Sequence, residues 1–229
     1  MLTNFQTDLN YSLENQNPPN PPASQLQLAK INFSNENVNF SAPSWLDLYQ
    51  LTLDLASQIQ IQGEHFDRIV TLAKGGWSMS VPLVDLLDIE LVASIGVRFY
   101  TGINTRLSAP QVYQDLPISI EGEKILLFDD VADTGESLKF TLEYLFSHGA
   151  SSVKTATLLY KPHSSLKPNF YGAQTDSWII FPYDLVESIR NLGIKWFKAG
   201  LSVAEISSRL EKFGFKPVWT KPYLTLFLK

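Results

Sequence analysis

Residues 125–138 constrain the fold of this chain more than any other segment. Four apolar residues, 125–128, predict a buried strand, and the carboxylates Asp129 and Asp130 follow it directly. After a short loop, a helix is expected from Glu136. Carboxylates at a strand end can accept hydrogen bonds from sugar hydroxyls, and the N–H groups that open a helix can hold a phosphate. The segment therefore predicts a site for a ligand such as a 5-phosphorylated ribose.

Composition narrows the classes of protein to consider. With 229 residues and 45% hydrophobic content, the chain can build one full core with appendages, or at most two small domains. The net charge of -5 favours neither nucleic acid nor an anionic membrane, and the absence of cysteine excludes thiolate catalysis and Cys-type zinc sites. The first basic residue is Lys30, and no apolar run approaches the roughly 18 residues of a membrane span. We expect a cytoplasmic protein without nucleic-acid or membrane partners.

Strands alternate with helices along the middle of the chain. Apolar runs predict the strands, and apolar residues spaced three or four apart predict the intervening helices. The predicted strands are residues 68–72, 91–100, 125–128, 153–160 and 178–181. This alternation predicts an α/β fold with a central, mainly parallel sheet flanked by helices, in which ligands bind at the carboxyl ends of the strands.

We expect three parts in the chain. Residues 1–40 form an Asn- and Pro-rich segment that buries too little apolar surface to offset its ordering entropy, and is expected to be flexible at least to about residue 29. Residues 41–190 hold the α/β domain, and residues 191–229 form a C-terminal helical extension.

Two segments have less regular patterns. Residues 101–117 show no sustained period, and a connection this long predicts a functional loop such as a lid. Residues 216–229 contain Pro217 and Pro222 and are predicted to be a strand or an extended arm.

The full pattern of residues 125–138 resembles the phosphoribosyl pyrophosphate (PRPP) signature of the type I phosphoribosyltransferases. The resemblance implies that Asp129 and Asp130 bind the ribose 2′ and 3′ hydroxyls. It assigns the 5′-phosphate to backbone N–H groups and hydroxyls of the following loop. It also places Asp133 near the purine N7, as a catalytic carboxylate that assists proton movement. These loop residues are Asp133, Thr134, Gly135, Glu136 and Ser137. Glu136 departs from the family, in which many members have Gly or Lys.

A second loop, residues 73–76, follows the first predicted strand. Next to a PRPP motif it resembles the family's pyrophosphate loop, in which Gly75 and Gly76 let the backbone approach the diphosphate and Lys74 neutralises it. Relatives often have a cis peptide here, and the bond between Ala73 and Lys74 is the candidate. Lys74 is expected to be catalytic. Arg106, in the lid candidate, is a further pyrophosphate ligand.

Three residues far apart in the sequence resemble the base pocket of the 6-oxopurine phosphoribosyltransferases of bacterial and archaeal type. They are Lys161, Trp178 and Asp184. In this reading, Lys161 donates to the exocyclic O6, and Trp178 stacks on the purine. The backbone at Ile179 reads an exocyclic amine. Asp184 joins Asp129 and Asp130 in holding Mg²⁺, partly through water or ligand.

The reaction implied is transfer of the phosphoribosyl group from PRPP to hypoxanthine, guanine or xanthine, a purine-salvage step with Mg²⁺ as cofactor. Two alternatives stay open: a non-catalytic PRPP-sensing regulator, and a transferase for adenine, uracil or orotate. Relatives commonly form homo-oligomers, so a dimer or tetramer is expected. The three histidines, His65, His148 and His163, lack partners at metal-binding spacing, which indicates surface or packing roles.

Overall fold

The computed structural model of the chain describes residues 26–102 and 105–228, and the side chains of residues 99–109 lie outside the described part. The strands are β1 (Phe40–Ser41), β2 (Arg68–Ala73), β3 (Leu91–Gly102), β4 (Thr105–Gln114), β5 (Lys124–Ala132), β6 (Ser152–Tyr160), β7 (Phe170–Gln174) and β8 (Trp178–Ile179). The helices are α1 (Trp45–Ile61), α2 (Trp77–Leu87), α3 (Glu136–Ser147), α4 (Leu185–Ser188), α5 (Ile194–Lys198), α6 (Val203–Lys212) and α7 (Pro217–Phe227), with a π-helical turn (Ile189–Gly193) between α4 and α5.

The chain divides into two compact units, which we call unit 1 and unit 2. The described part of unit 1 is residues 49–175, and unit 2 comprises residues 26–48 and 176–228. The first boundary falls inside α1. The two units divide at other positions than the expected boundaries at residues 40 and 190. The reason is that residues that precede and residues that follow the α/β core in the sequence contribute to one separate apolar cluster.

Unit 1 is built on a six-stranded sheet with the order β4-β3-β2-β5-β6-β7. All neighbouring pairs are parallel except β3 and β4, which are antiparallel. The sheet is flanked by helices. This confirms the predicted α/β fold with a mainly parallel sheet.

The core of unit 1 lies between the sheet and α3. Leu138, Leu142 and Leu145 of α3 pack with Val70 of β2 and Leu127 of β5, and all five side chains are fully or almost fully buried. Because side chains alternate along a strand, the equally buried Leu126 and Phe128 face the opposite side of the sheet. Burial on both faces explains why these strands read as continuous apolar runs.

Unit 2 has its own core, built from both ends of the chain. Phe33 and Phe40 pack with Trp196, Phe213 and several aliphatic residues; the buried members are Phe33, Phe40, Ile180, Ile189, Leu192, Trp196, Ile206, Leu210, Phe213, Phe215 and Leu224. β1 pairs in parallel with β8. Residues 26–40, part of the segment expected to be flexible, therefore include core positions. Residues 1–25, the rest of that segment, lie outside the described residues.

Two helices begin with side-chain caps. Asp47 accepts hydrogen bonds from the backbone N–H and the hydroxyl of Ser44 before α1, both at 2.7 Å. Ser202 and Glu205 form the reciprocal capping box that opens α6. Among the described residues, we find no helix with the length and hydrophobicity of a membrane span.

Three predictions about secondary structure were wrong or incomplete. Residues 105–114, placed in an irregular lid, form β4 along β3. Residues 217–227, predicted as an extended arm, form α7, because Pro217 occupies the first turn, where no intrahelical N–H bond is lost. β7 was not predicted. It contains Gly172, where a Cβ atom would lie 2.6 Å from the carbonyl oxygen of Leu158 on β6.

Candidate active site

The ends of β2, β5 and β6 carry most of the residues predicted to bind a ligand. Parallel pairing places these carboxyl ends at the same edge of the sheet of unit 1. β5 carries Asp129 and Asp130 among its last four residues, and its neighbours β2 and β6 lead into the loops that begin at Lys74 and Lys161. The topology therefore brings together segments that are far apart in the sequence.

The two aspartates of β5 lie side by side in a confined position. The backbone N–H of Asp130 donates to the Asp129 carboxylate at 2.9 Å, and the Asp130 side chain is almost fully buried. Burial raises the pKa of Asp129 well above its ordinary value, and the charge of Asp130 adds to the rise. Backbone N–H groups of Asp130 and Gly76 act in the opposite direction. Such a pair favours a ligand that brings positive charge or hydroxyl donors.

The loop after β2 packs directly against these carboxylates. The peptide bond between Ala73 and Lys74 is cis, as predicted. The turn is closed by hydrogen bonds from Gly76 N–H to the Leu72 carbonyl at 3.1 Å and from Trp77 N–H to the Lys74 carbonyl at 3.2 Å. A Cβ atom at Gly75 would lie 2.5 Å from Oδ2 of Asp130, so only glycine permits this approach. The structure thus joins the two predicted loops, with the Lys74 side chain exposed.

The loop between β5 and α3 is fastened to the loop that follows β6. Gly135 has a positive φ of 79°, and a Cβ atom there would lie 2.5 Å from the Ser164 hydroxyl. The Ser165 backbone N–H and hydroxyl donate to the Thr134 carbonyl at 2.9 and 2.8 Å. Glu136 and Ser137 form the first turn of α3. The predicted phosphate loop therefore has a defined shape at a helix N-terminus, where anions are stabilised.

The carboxylate of Asp133 is contacted by two side chains with nitrogen atoms, those of Lys161 and His163. Its Oδ1 lies 3.1 Å from Nζ of Lys161 and 3.1 Å from Nε2 of His163. Lys161 is buried, whereas Asp133 and His163 are exposed. The sequence interpretation had placed Asp133 and Lys161 in one site, and the structure brings them into direct contact.

The other predicted base-pocket residues belong to unit 2. Trp178 in β8 is 51% exposed, and Ile179 follows it in the same strand. Asp184 precedes α4, and its carboxylate accepts a hydrogen bond from the Phe181 backbone N–H at 3.3 Å. This contact gives Asp184 a local structural role in addition to the predicted one.

The predicted lid contributes one described side chain near the loop after β2. Tyr113 of β4 lies against Gly96, where a Cβ atom would approach its ring to 2.5 Å, and its hydroxyl is 3.5 Å from the Ala73 carbonyl oxygen. The side chain of Arg106 lies outside the described residues.

Two residues of this region were not assigned to a site from the sequence. His163 was given a surface or packing role, although it stands only two positions after Lys161, in a turn closed by a hydrogen bond from Ser164 N–H to the Lys161 carbonyl at 2.9 Å. Tyr113 gave no local signal, because its position depends on antiparallel pairing across the sheet edge.

The carboxylates suit a cation that is shared with a substrate. In the described ranges, no group of three or more His, Cys, Asp or Glu side chains is arranged to hold a metal ion by itself. Two adjacent carboxylates without a third protein ligand fit Mg²⁺, which is commonly bound by one or two carboxylates together with substrate phosphates and water.

Comparison with known proteins agrees with this geometry. Residues 44–188 match the phosphoribosyl transferase domain family. The chain is 30% identical over 144 residues to a xanthine-guanine phosphoribosyltransferase of Idiomarina loihiensis, covering 62% of this chain and 85% of that protein. It is 28% identical over 149 residues to a hypoxanthine-guanine phosphoribosyltransferase of Bacillus subtilis, covering 62% and 81%.

Solved structures show the same architecture. The crystal structure of a purine phosphoribosyltransferase from Pyrococcus horikoshii superposes with a TM-score of 0.56 at 28% identity, covering 63% of this chain and 93% of that one. The family match spans more than half of the chain and includes both loops that meet at Asp130. The chain therefore belongs to the type I phosphoribosyltransferase family.

Proposed function

We propose that this phosphoribosyltransferase transfers the 5-phosphoribosyl group from PRPP to a 6-oxopurine: hypoxanthine, guanine or xanthine. The observation that carries the proposal is the 3.1 Å contact between Nζ of Lys161 and Oδ1 of Asp133. It sets a hydrogen-bond donor beside an acceptor at a spacing of about 3 Å, which resembles the separation of O6 and N7 on a purine edge. Lys161 would donate to O6, and Asp133 would accept the proton carried at N7.

This donor and acceptor pair argues for a 6-oxopurine over other bases. Adenine has an amino group in place of O6, so a lysine there would face a donor with a donor. Pyrimidines lack N7. The base contacts of Trp178 and of the backbone at Ile179, which belong to unit 2, stay predictions from the family resemblance.

The remaining residues would hold PRPP. Asp129 and Asp130 would accept hydrogen bonds from the ribose hydroxyls, and residues 133–137 would surround the 5′-phosphate. Lys74, Gly75 and Gly76 would bind the pyrophosphate together with Arg106. With both substrates held in line, a purine nitrogen attacks C1′ while the bond from C1′ to the pyrophosphate oxygen breaks. The purine N7 proton passes to Asp133, and the pyrophosphate leaves with the bonding electrons.

Asp129 and Asp130 would hold Mg²⁺, and the contribution of Asp184, which belongs to unit 2, stays a prediction from the family resemblance. When bound, Mg²⁺ would supply Lewis-acid stabilisation of the leaving-group charge. Exclusion of water from the closed site would protect PRPP from hydrolysis.

A Lys161→Ala variant tests the base assignment. Loss of one charge-assisted hydrogen bond predicts a fall of about 10- to 100-fold in kcat/KM for 6-oxopurines. Lys154, near the other end of the same strand, provides the matched control, since Lys154→Ala leaves the proposed site intact. Equal turnover by Lys161→Ala and wild type would refute the assigned role.

A PRPP-sensing regulator of the same fold makes a different prediction. Such a protein would bind RNA or DNA at physiological salt and form no nucleotide from any base. Nucleotide formation without nucleic-acid binding supports the enzyme.

A further inference from the structure

We infer that His163 is a positioning residue for Asp133, holding its carboxylate in place while Lys161 engages the base. This inference rests on the proposed function and adds a residue to it. Nε2 of His163 and Nζ of Lys161 both lie 3.1 Å from the same oxygen, Oδ1 of Asp133. Two donors on one oxygen leave Oδ2 as the oxygen that can take up a proton from the base.

The backbone holds the two donors on one rigid turn. Lys161 N–H donates to the Ala132 carbonyl at 3.0 Å, and Ser164 N–H donates to the Lys161 carbonyl at 2.9 Å. The residue that follows, Ser165, is bonded twice to Thr134, next to Asp133. His163 is therefore carried by a segment that is fixed to the Asp133 loop at both ends, although its own side chain is 60% exposed.

The Asp133 carboxylate needs a second donor because Lys161 has two proposed partners. Without a base, Lys161 pairs with Asp133; with a 6-oxopurine bound, its ammonium group is required at O6. If His163 were absent, the Asp133 carboxylate would lose its remaining side-chain donor whenever Lys161 turned to O6, and it would gain rotational freedom. A catalytic group that is poorly oriented lowers the reaction rate. Because a carboxylate can only accept, the Nε2 atom must carry a proton in this contact, and His163 keeps the Asp133 carboxylate oriented during the exchange.

The experiment compares His163→Ala and His163→Gln with wild type, using PRPP and the best 6-oxopurine. Loss of one hydrogen bond to a charged group predicts a fall in kcat of about 5- to 30-fold for His163→Ala. The KM for PRPP should stay within about twofold, because His163 contacts the carboxylate of Asp133, whereas the phosphate is proposed to meet the backbone N–H groups of the Asp133 loop. His163→Gln retains an N–H donor and should recover most of the rate.

Two controls separate positioning from general effects. His65→Ala removes another exposed histidine of unit 1, located before β2, and should behave as wild type. In an Asp133→Asn background, His163→Ala should cost less than about twofold, because its effect passes through Asp133.

The outcomes are distinct. If the wild type is active and His163→Ala is equally active, the role of His163 is refuted, whereas the proposed function is not. A higher KM for PRPP with unchanged kcat also refutes it, since the histidine would then bind phosphate. A folded wild type that is inactive with all three 6-oxopurines refutes the proposed function together with this role.

Discussion

Replacing Gly75 by alanine probes the contact that joins the two substrate-binding loops. The added Cβ atom would lie 2.5 Å from Oδ2 and 2.6 Å from Cγ of Asp130, whereas ordinary contact begins at 3.4 Å. The carboxylate would therefore have to retreat by about 0.9 Å to restore normal contact. Asp130 is only 9% exposed and has little room to do so. We expect Gly75→Ala to destabilise the protein by about 1–3 kcal/mol, the usual cost of overpacking.

The same displacement should impair function. A misplacement of about 1 Å costs on the order of a hundredfold in rate where groups must be aligned, so kcat/KM for PRPP should fall by about 10- to 100-fold. The assays are steady-state kinetics at varied PRPP and urea denaturation followed by circular dichroism.

A double-mutant cycle assigns the effect to the carboxylate. In an Asp130→Ala background the clash is absent, and Gly75→Ala should change the free energy of unfolding by less than about 0.5 kcal/mol. Gly193→Ala is the matched control, because its Cβ atom would make only ordinary contacts, the nearest at 3.4 Å to Ile189. Full activity and unchanged stability of Gly75→Ala would refute the reasoning, as would an equal cost in both backgrounds.

Three further predictions concern charged groups. Asp129→Asn should raise the melting temperature at pH 7 without divalent cations, because a raised native pKa makes the ionised form destabilising; the gain should vanish below the unfolded-state pKa of about 3.9. For Glu36, burial raises the pKa, but hydrogen bonds, led by the one from Lys195 at 2.8 Å, outweigh burial, so the pKa is lowered. The stability lost in Glu36→Gln should therefore be largest at neutral pH and should shrink as the solution is acidified. Thermal melts across pH measure this. Glu123 accepts two bonds from Arg68, at 2.7 and 2.8 Å, and Glu123→Ala should lower the free energy of unfolding by about 1–3 kcal/mol; a loss near zero in urea titrations would contradict this.

The local patterns of the chain predicted the central part of the fold. β5 and α3 form where an apolar run meets an aspartate pair and a glycine-containing turn, because burial, turn geometry and helix initiation are all encoded within 14 residues. The family resemblance then identified the cis bond after Ala73, which no local periodicity would indicate.

The errors occur where distant parts of the chain decide the outcome. β4 is a strand because β3 offers a sheet edge, although its own sequence lacks a strand pattern. α7 tolerates Pro222 inside the helix, while Thr220 and Leu224 occupy buried positions on one face at a spacing of four. Phe33 and Phe40 belong to a core whose other members follow residue 179, which a reading of the N-terminal composition alone could not reveal.

The candidate site, too, could be predicted only in part from the sequence. Asp129 and Asp130 could be selected from the sequence because they follow a recognised strand, and Lys161 could be selected through the family resemblance. His163 could not, because its importance depends on a turn that brings it within 3.1 Å of Asp133.

We propose that unit 1 carries the PRPP site of a 6-oxopurine transferase. The most direct test is nucleotide formation by the purified chain with PRPP and Mg²⁺, measured by chromatography for hypoxanthine, guanine, xanthine, adenine, uracil and orotate in separate reactions. We expect a nucleoside 5′-monophosphate and pyrophosphate from at least one of the three 6-oxopurines, and much less product from the other bases. Folded protein that forms no product with any 6-oxopurine, or that prefers adenine or a pyrimidine, would contradict it.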